Sequence, residues 1–176
     1  MACTTLTGMA NDVCHSYLGG IVEAYFTNDD NVSACTIASG AVQTFALVSG
    51  AKLYTYEFDQ NVSNFNASYS KNNGIGSYAN TINLQFKTLN SARNAEVSAL
   101  AEGHLVGIVK TRAGKYFYFG YDGYLTSNDS TTADSGTNYD DFNGYNLVLS
   151  TNSAYFPQEI AYEKFSSYIE DAPAEA

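Results

Sequence analysis

The chain has 176 residues, with 18 acidic against 8 basic side chains, a formal net charge of −10, and 45% hydrophobic but only 15% charged residues. That length suits one domain burying roughly two-thirds of its unfolded surface. The acidity excludes tight binding to phosphate backbones, which depends on Lys and Arg displacing counterions, and no stretch reaches the roughly 20 apolar residues that cross a bilayer.

Residues 1–18 read as an irregular, polar arm. The first twenty residues hold no Lys or Arg and no sustained apolar run, so no secretory leader is expected. Three cysteines, Cys3, Cys14 and Cys35, make an odd number that argues against a disulfide framework. Synthesis in a reducing cytoplasm with free thiols is the expectation. The sequons at Asn31, Asn61, Asn66 and Asn128 are then accidents of an Asn/Ser-rich composition.

Fifteen Tyr, ten Phe and no Trp favour strands, and both prolines, Pro157 and Pro173, fall near the C-terminus. Gly19-Gly20 opens a predicted strand over Ile21 to Thr27, where Val22, Ala24 and Phe26 alternate with Ile21, Glu23 and Tyr25. Asn28 to Ser33 reads as a turn-rich loop within a flexible region that reaches Gly50 and holds a strand over Ala41 to Val48. A strand over Ala51 to Phe58 follows, with Tyr54, Tyr56 and Phe58 on one face.

Val62 to Ser70 and Tyr78 to Lys87 then make two strands around an Asn72-Asn73-Gly74 turn. One face carries Phe65, Ala67 and Tyr69, then Tyr78, Ile82, Leu84 and Phe86. The other carries Asn64, Asn66 and Ser68, then Thr81, Asn83, Gln85 and the terminal Lys87. Side chains alternate across a strand, so the pair has one apolar face and one polar, almost uncharged face. An uncharged polar face suits an inner wall or a subunit contact, and equally a plain Asn/Ser-rich surface.

The segment from Ser91 reads as a short helix, about residues 91–102. Asn90 or Ser91 is placed to cap it, Ala92, Ala95 and Ala99 with Val97 or Leu100 supply its apolar stripe, and Gly103 is placed to end it in a left-handed conformation. Ala113-Gly114 makes a tight turn between strands Leu105–Thr111 and Lys115–Tyr121. Thr126 to Asn138 is a Ser/Thr/Asp/Gly loop, and Tyr145, Leu147 and Leu149 mark a last strand. Pro157 suits the first turn of a C-terminal helix, about residues 158–170, with Ala161, Phe165, Tyr168 and Ile169 on one face. The fold class is mainly β, with a domain over 19–156 and a helical extension over 157–176.

Candidate chemistry is sparse. Cys14-His15 with Cys3 lacks the paired-cysteine spacing of a zinc site, and His104, just past the helix end, fits a structural role at the helix dipole. Asp122, Asp129, Asp134, Asp140 and Asp141 match no calcium-loop spacing; their loop is expected to contact neighbouring subunits. No catalytic residue, metal site or cofactor is expected, and an enzyme is the least supported class.

Several segments together carry a family resemblance: Gly19-Gly20-Ile21 with Tyr25-Phe26; Leu53-Tyr54-Thr55-Tyr56-Glu57; the helix Ser91 to Gly103; Val109-Lys110 through Gly114-Lys115-Tyr116-Phe117; and Asp141-Phe142-Asn143-Gly144-Tyr145. In this order they resemble tail tube proteins of bacteriophages, most of all short virion proteins of phages infecting Bacteroidetes. The resemblance spans roughly residues 19 to 150, and its specificity lies in order and spacing, since each motif alone is common in β proteins. It implies an antiparallel β-sandwich or partial barrel with one flanking helix. It further implies six copies closing into a ring, rings stacking into a tube for genome passage, and contacts with other tail or neck proteins. Location in the virion tail after synthesis in the host cytoplasm follows. Under that reading Asn64, Asn66, Ser68, Thr81, Asn83 and Gln85 face the lumen, where DNA passes without being bound. The C-terminal extension departs from the pattern, which keeps a neck, tail-completion or capsid decoration protein in play. A carbohydrate-binding sandwich is the alternative from another class.

Overall fold

The computed structural model describes residues 8–10 and 18–172. The arm expected over 1–18 therefore lies mostly outside the described residues, as do Cys3, Cys14 and His15.

Among the described residues thirteen strands follow in chain order: β1 (Ile21–Asn28), β2 (Val32–Ala38), β3 (Ala41–Leu47), β4 (Leu53–Glu57), β5 (Asn64–Asn72), β6 (Ile75–Lys87), β7 (Leu105–Thr111), β8 (Tyr116–Phe119), β9 (Thr126–Ser127), β10 (Thr132–Asp134), β11 (Gly144–Ser153), β12 (Gln158–Glu159) and β13 (Ile169–Glu170). One helix, α1 (Ser91–Glu102), separates β6 from β7. The strands form an eight-stranded sheet in the order β13-β4-β1-β7-β8-β12-β3-β2, curled into a half-barrel. A second sheet runs β10-β11-β6-β5, with β9 also paired to β11.

The central strands of the larger sheet are buried on both faces. In β1, Ala24 and Phe26 point into one core and Tyr25 into the other. In β7, Leu105 and Val109 join the first core, and Val106 and Ile108 the second. β8 divides likewise, Phe119 from Tyr118. A nearly continuous apolar run such as Leu105–Val109 is what a strand covered on both sides requires. The first core lies between the sheets and receives Ile82, Leu84, Leu147 and Leu149 from β6 and β11, with Leu100 from α1. The second fills the curl of the half-barrel with Val42, Phe45, Leu53, Ile160 and Phe165.

Gly107 sits where the first core leaves no room for a side chain. A Cβ there would lie 2.5 Å from Cε1 of Phe26 and 3.3 Å from Cδ1 of Leu125. Both neighbours are fully buried and have nowhere to go.

Several expectations change in detail. The C-terminal α-helix expected over about 158–170 does not form. Its residues make β12, two 3-10 turns (Tyr162–Lys164 and Ser166–Tyr168) and β13. The periodic apolar residues are used differently. Glu159 N–H donates to the Gly40 carbonyl and Ile160 N–H to that of Tyr116, so the segment fills a gap between β8 and β3. Phe165 then turns into the second core against Tyr25 and Tyr116, with ring centroids 5.5 and 5.3 Å away. The Lys164 ammonium donates to the Val42 and Gln43 carbonyls at 2.5 and 2.7 Å, which fastens the turn to β3. Burial of a large aromatic outweighs a weak local helix preference here.

On α1 the alanine stripe faces outward. Ala92, Ala95 and Ala99 are exposed, and Val97 and Leu100 are the buried contacts. Asn90 caps the helix, accepting from the Arg93 N–H at 2.7 Å. Gly103 ends it in an extended conformation (φ −78°, ψ 155°), not a left-handed one. The stretch after Asn28 is a 3-10 turn followed by the β2–β3 hairpin, and the Thr126–Asn138 loop carries β9 and β10.

Two substitutions test this packing. Gly107→Ala is expected to cost about 1–3 kcal/mol by overpacking against Phe26, read as a lower urea midpoint at constant m-value; an unchanged midpoint would contradict the two-core arrangement. Phe165→Ala is expected to cost about 3–5 kcal/mol, whereas an added C-terminal appendage would lose almost nothing.

Candidate functional site

The outer face of the smaller sheet is a continuous surface that packs against neither core. β5 and β6 pair with Asn64 opposite Asn83 and Asn66 opposite Thr81, while Ser68 stands opposite Ala79. All six residues expected on one polar face therefore do share it: Asn64, Asn66, Ser68, Thr81, Asn83 and Gln85. Those on the edge strand β5 are exposed, and those on β6, with neighbours on both sides, are half-buried.

The face continues onto β11, where Asn146 lies opposite Gln85, Val148 opposite Asn83 and Ser150 opposite Thr81. Amide side chains link the strands across it. Asn83 Nδ2 donates to Asn64 Oδ1 at 2.7 Å, and Gln85 Nε2 donates to Asn146 Oδ1 at 3.1 Å. The first charge met along β6 is Lys87, which ion-pairs with Asp59 at 2.5 Å. Asn146, Ser150 and Asn152 were also readable from the alternation of Gly144–Ser153, whose inward members are Tyr145, Leu147 and Leu149.

Such a surface donates and accepts hydrogen bonds without holding a charge. It can slide past a polar polymer or pack against another uncharged surface. It holds no cation to fix a phosphate short of Lys87, which is paired with Asp59, and the net charge of −10 repels one.

Beyond the core, the inner face of the same sheet and the loop after β11 carry aromatic residues into solvent. Tyr69 is 53% exposed and Phe156 is 49% exposed. Tyr78 lies between them, with ring centroids 4.9 and 4.4 Å away at interplanar angles of 47° and 65°. Tyr121 meets Tyr155 edge-on beside this ledge. The Tyr69 ring leans over Gly76, where a Cβ would lie 2.5 Å from its hydroxyl.

The five aspartates do not converge. Asp122 accepts from Ser153 Oγ at 2.5 Å and the Ala154 N–H at 2.6 Å, holding the end of β11. Asp134 accepts from the Gly136 N–H at 2.9 Å. Asp141 accepts from the Thr137 and Asn138 N–H groups at 2.8 and 2.6 Å and from Asn138 Nδ2 at 3.1 Å. Asp129 and Asp140 are solvent-exposed. Among the described residues no group of three His, Cys, Asp or Glu is placed to share a metal ion. His104 stacks on Tyr124 at 3.9 Å, nearly parallel. Its neighbourhood is a polar cavity lined by Asn28, Asp29, Asp30, Asn31 and Glu102.

Cys35 is half-buried on β2, where burial raises its thiol pKa and so disfavours the reactive thiolate. Among the described residues no helix is long and apolar enough to cross a membrane. The chain matches no protein-family model, no curated protein and no solved structure.

The backbone hydrogen bonds from Asn138 and Thr137 hold the Asp141 carboxyl below the ordinary carboxylate range. A depressed folded-state pKa means the turn is braced at and above the usual value of about 3.9 and loosens only as pH falls through the lowered one. The Thr137 and Asn138 amide resonances are expected to titrate with a midpoint below about 3.9; a midpoint at or above it would contradict the bracing.

Proposed function

We propose that this chain is a structural subunit of a bacteriophage virion, a tail tube protein whose copies close six to a ring and stack into a channel for DNA. The carrying observation is the polar face spread over β5, β6 and β11, uncharged on a chain with net charge −10. An uncharged wall of amides and hydroxyls lets DNA pass without the counterion release that would bind it. Asn64, Asn66, Ser68, Thr81, Asn83 and Gln85 line the channel in this reading, joined by Asn146 and Ser150.

Further support comes from the order of the resembling segments, which form β1, β4, α1, the β7–β8 hairpin and the start of β11. The exposed aromatic ledge and the bare alanine side of α1 are surfaces suited to neighbouring copies, because closing a ring by one repeated contact needs two different complementary patches. The Asp122–Asp141 region lies at the edge of β11, where it can meet an adjoining subunit. A neck, tail-completion or decoration role would use the same surfaces with other virion proteins as partners. A carbohydrate-binding module is less well supported, since Tyr69, Tyr78 and Phe156 are mutually tilted and give no flat platform for a sugar ring.

Negative-stain microscopy of the concentrated protein tests the reading. Rings or tubes with an axial channel are expected, and particles no larger than a dimer at every concentration would overturn it. In assembled virions, replacing Asn64, Asn66 and Asn83 with Lys is expected to slow DNA ejection. Unchanged ejection kinetics would remove these residues from the channel wall.

A further inference from the structure

Among the described residues β5 has a strand partner on one side only. On one side β5 pairs with β6 over its whole length, Asn64 to Asn72, with no shift of register. It ends the sheet order, so among the described residues no strand lies on its other side. Alternate residues of this nine-residue strand thus turn N–H and C=O groups to a side where, among the described residues, no strand pairs with them.

Folded chains normally blunt such an edge with Lys, Pro, a bulge or brevity. The other edges here are blunted. β2 shifts register twice, between Val32 and Ala34 and between Thr36 and Ile37, and β13, β9 and β10 have only two or three residues. From Asn64 to Ser70 β5 has no charge, no proline and no bulge; Lys71 comes only at the hairpin tip. Tyr69 leans toward β6 over Gly76 and so does not cover the edge.

The sequence of this edge also reads nearly the same in both directions. About Ala67, Asn66 mirrors Ser68, Phe65 mirrors Tyr69, and Asn64 mirrors Ser70. We infer that β5 pairs antiparallel with β5 of a second copy about a two-fold axis at Ala67. The two four-stranded paths then join into one continuous sheet.

In that register Phe65 of one copy stands opposite Tyr69 of the other on the inner face, so the aromatic ledge gains a neighbour. Amides stand opposite hydroxyls on the outer face. Both are favourable cross-strand combinations. Two chains of net charge −10 repel each other, and Asn64–Ser70 is a place where their backbones can meet without bringing carboxylates together. A two-fold contact uses the same patch on both partners. It is separate from ring closure and does not rest on the tail tube reading.

Disulfide trapping and sedimentation test the contact. Ala67→Cys places two thiols across the axis, at the Cα spacing of about 4.5–5.5 Å that a disulfide accepts. Mild oxidation is expected to give a covalent dimer in which peptide mapping finds Cys linked at position 67 to itself. Because Ala67 is half-buried, a second pair uses exposed positions. Mixed Asn66→Cys and Ser68→Cys proteins are expected to cross-link with each other faster than either does alone. The double variant Asn66→Lys, Ser68→Lys sets like charges opposite each other and is expected to weaken dimerisation by about tenfold or more. A wild-type protein that sediments as a monomer at all concentrations overturns the proposal, as does a dimer with neither linkage or one indifferent to the two lysines. Tubes without the 67–67 linkage would leave the tail tube reading standing and remove this one; a linked dimer that never forms tubes would do the reverse.

Discussion

The burial of β1, β7 and β8 on both faces is the constraint from which the rest of this structure follows. A sheet with one wet face needs one covering layer, but these strands need two. The smaller sheet with α1 supplies the first. The C-terminal segment, led by Phe165 and Ile160, supplies the second from inside the curl. Gly107 shows how closely the layers meet, since even a methyl group there would strike the Phe26 ring. Because the smaller sheet turns only its inner face to the first core, which α1 helps to close, its outer face packs against no core and is free to serve as a surface.

That division explains the chemistry of the exterior. Uncharged amides and hydroxyls gather on the outer face of β5, β6 and β11, while carboxylates are spent locally. Asp122 and Asp141 hold backbone turns, and Glu23 pairs with Lys110 at 3.0 Å within the large sheet. Desolvation alone would raise the Glu23 carboxyl, but hydrogen bonds from Tyr25 and Lys110 outweigh it and hold the group below the ordinary range. An acidic chain that keeps its carboxylates off that outer face can still present a broad neutral surface. A channel wall or a contact between copies needs such a surface, and the two uses draw on different parts of it. The flat outer face suits a wall, and the free edge of β5 suits a strand from another copy.

Much of this was legible in the sequence because local pattern and tertiary need agree. The alternation in β5 and β6, the Asn90 cap and the turn at Ala113-Gly114 each name their own structure, and the six polar residues share a face because the period of a strand is two. Other parts were hidden by tertiary context. Ala161, Phe165, Tyr168 and Ile169 have helical spacing, yet Gln158–Glu159 just before them is drawn between β8 and β3, Phe165 turns into the second core, and Ile169 pairs with Leu53 of β4. β2, VSACTIA, has too little contrast between its faces to declare itself a strand. The alanines of α1 look like a packing stripe, but Val97 and Leu100 suffice to seat the helix. Which aspartates brace which turns depends on contacts as distant as Asp122 to Ala154, and composition carries no trace of them.

Hydrogen exchange on dilute and concentrated protein probes most directly the idea of a closed two-core body with one open strand edge meant for its own kind. The amides of β1 and β7 are expected to exchange slowest under both conditions, while those of Asn64–Ser70 that face away from β6 exchange rapidly when dilute and become protected on concentration. Rapid exchange along Asn64–Ser70 at every concentration, or early exchange in β7, would contradict it.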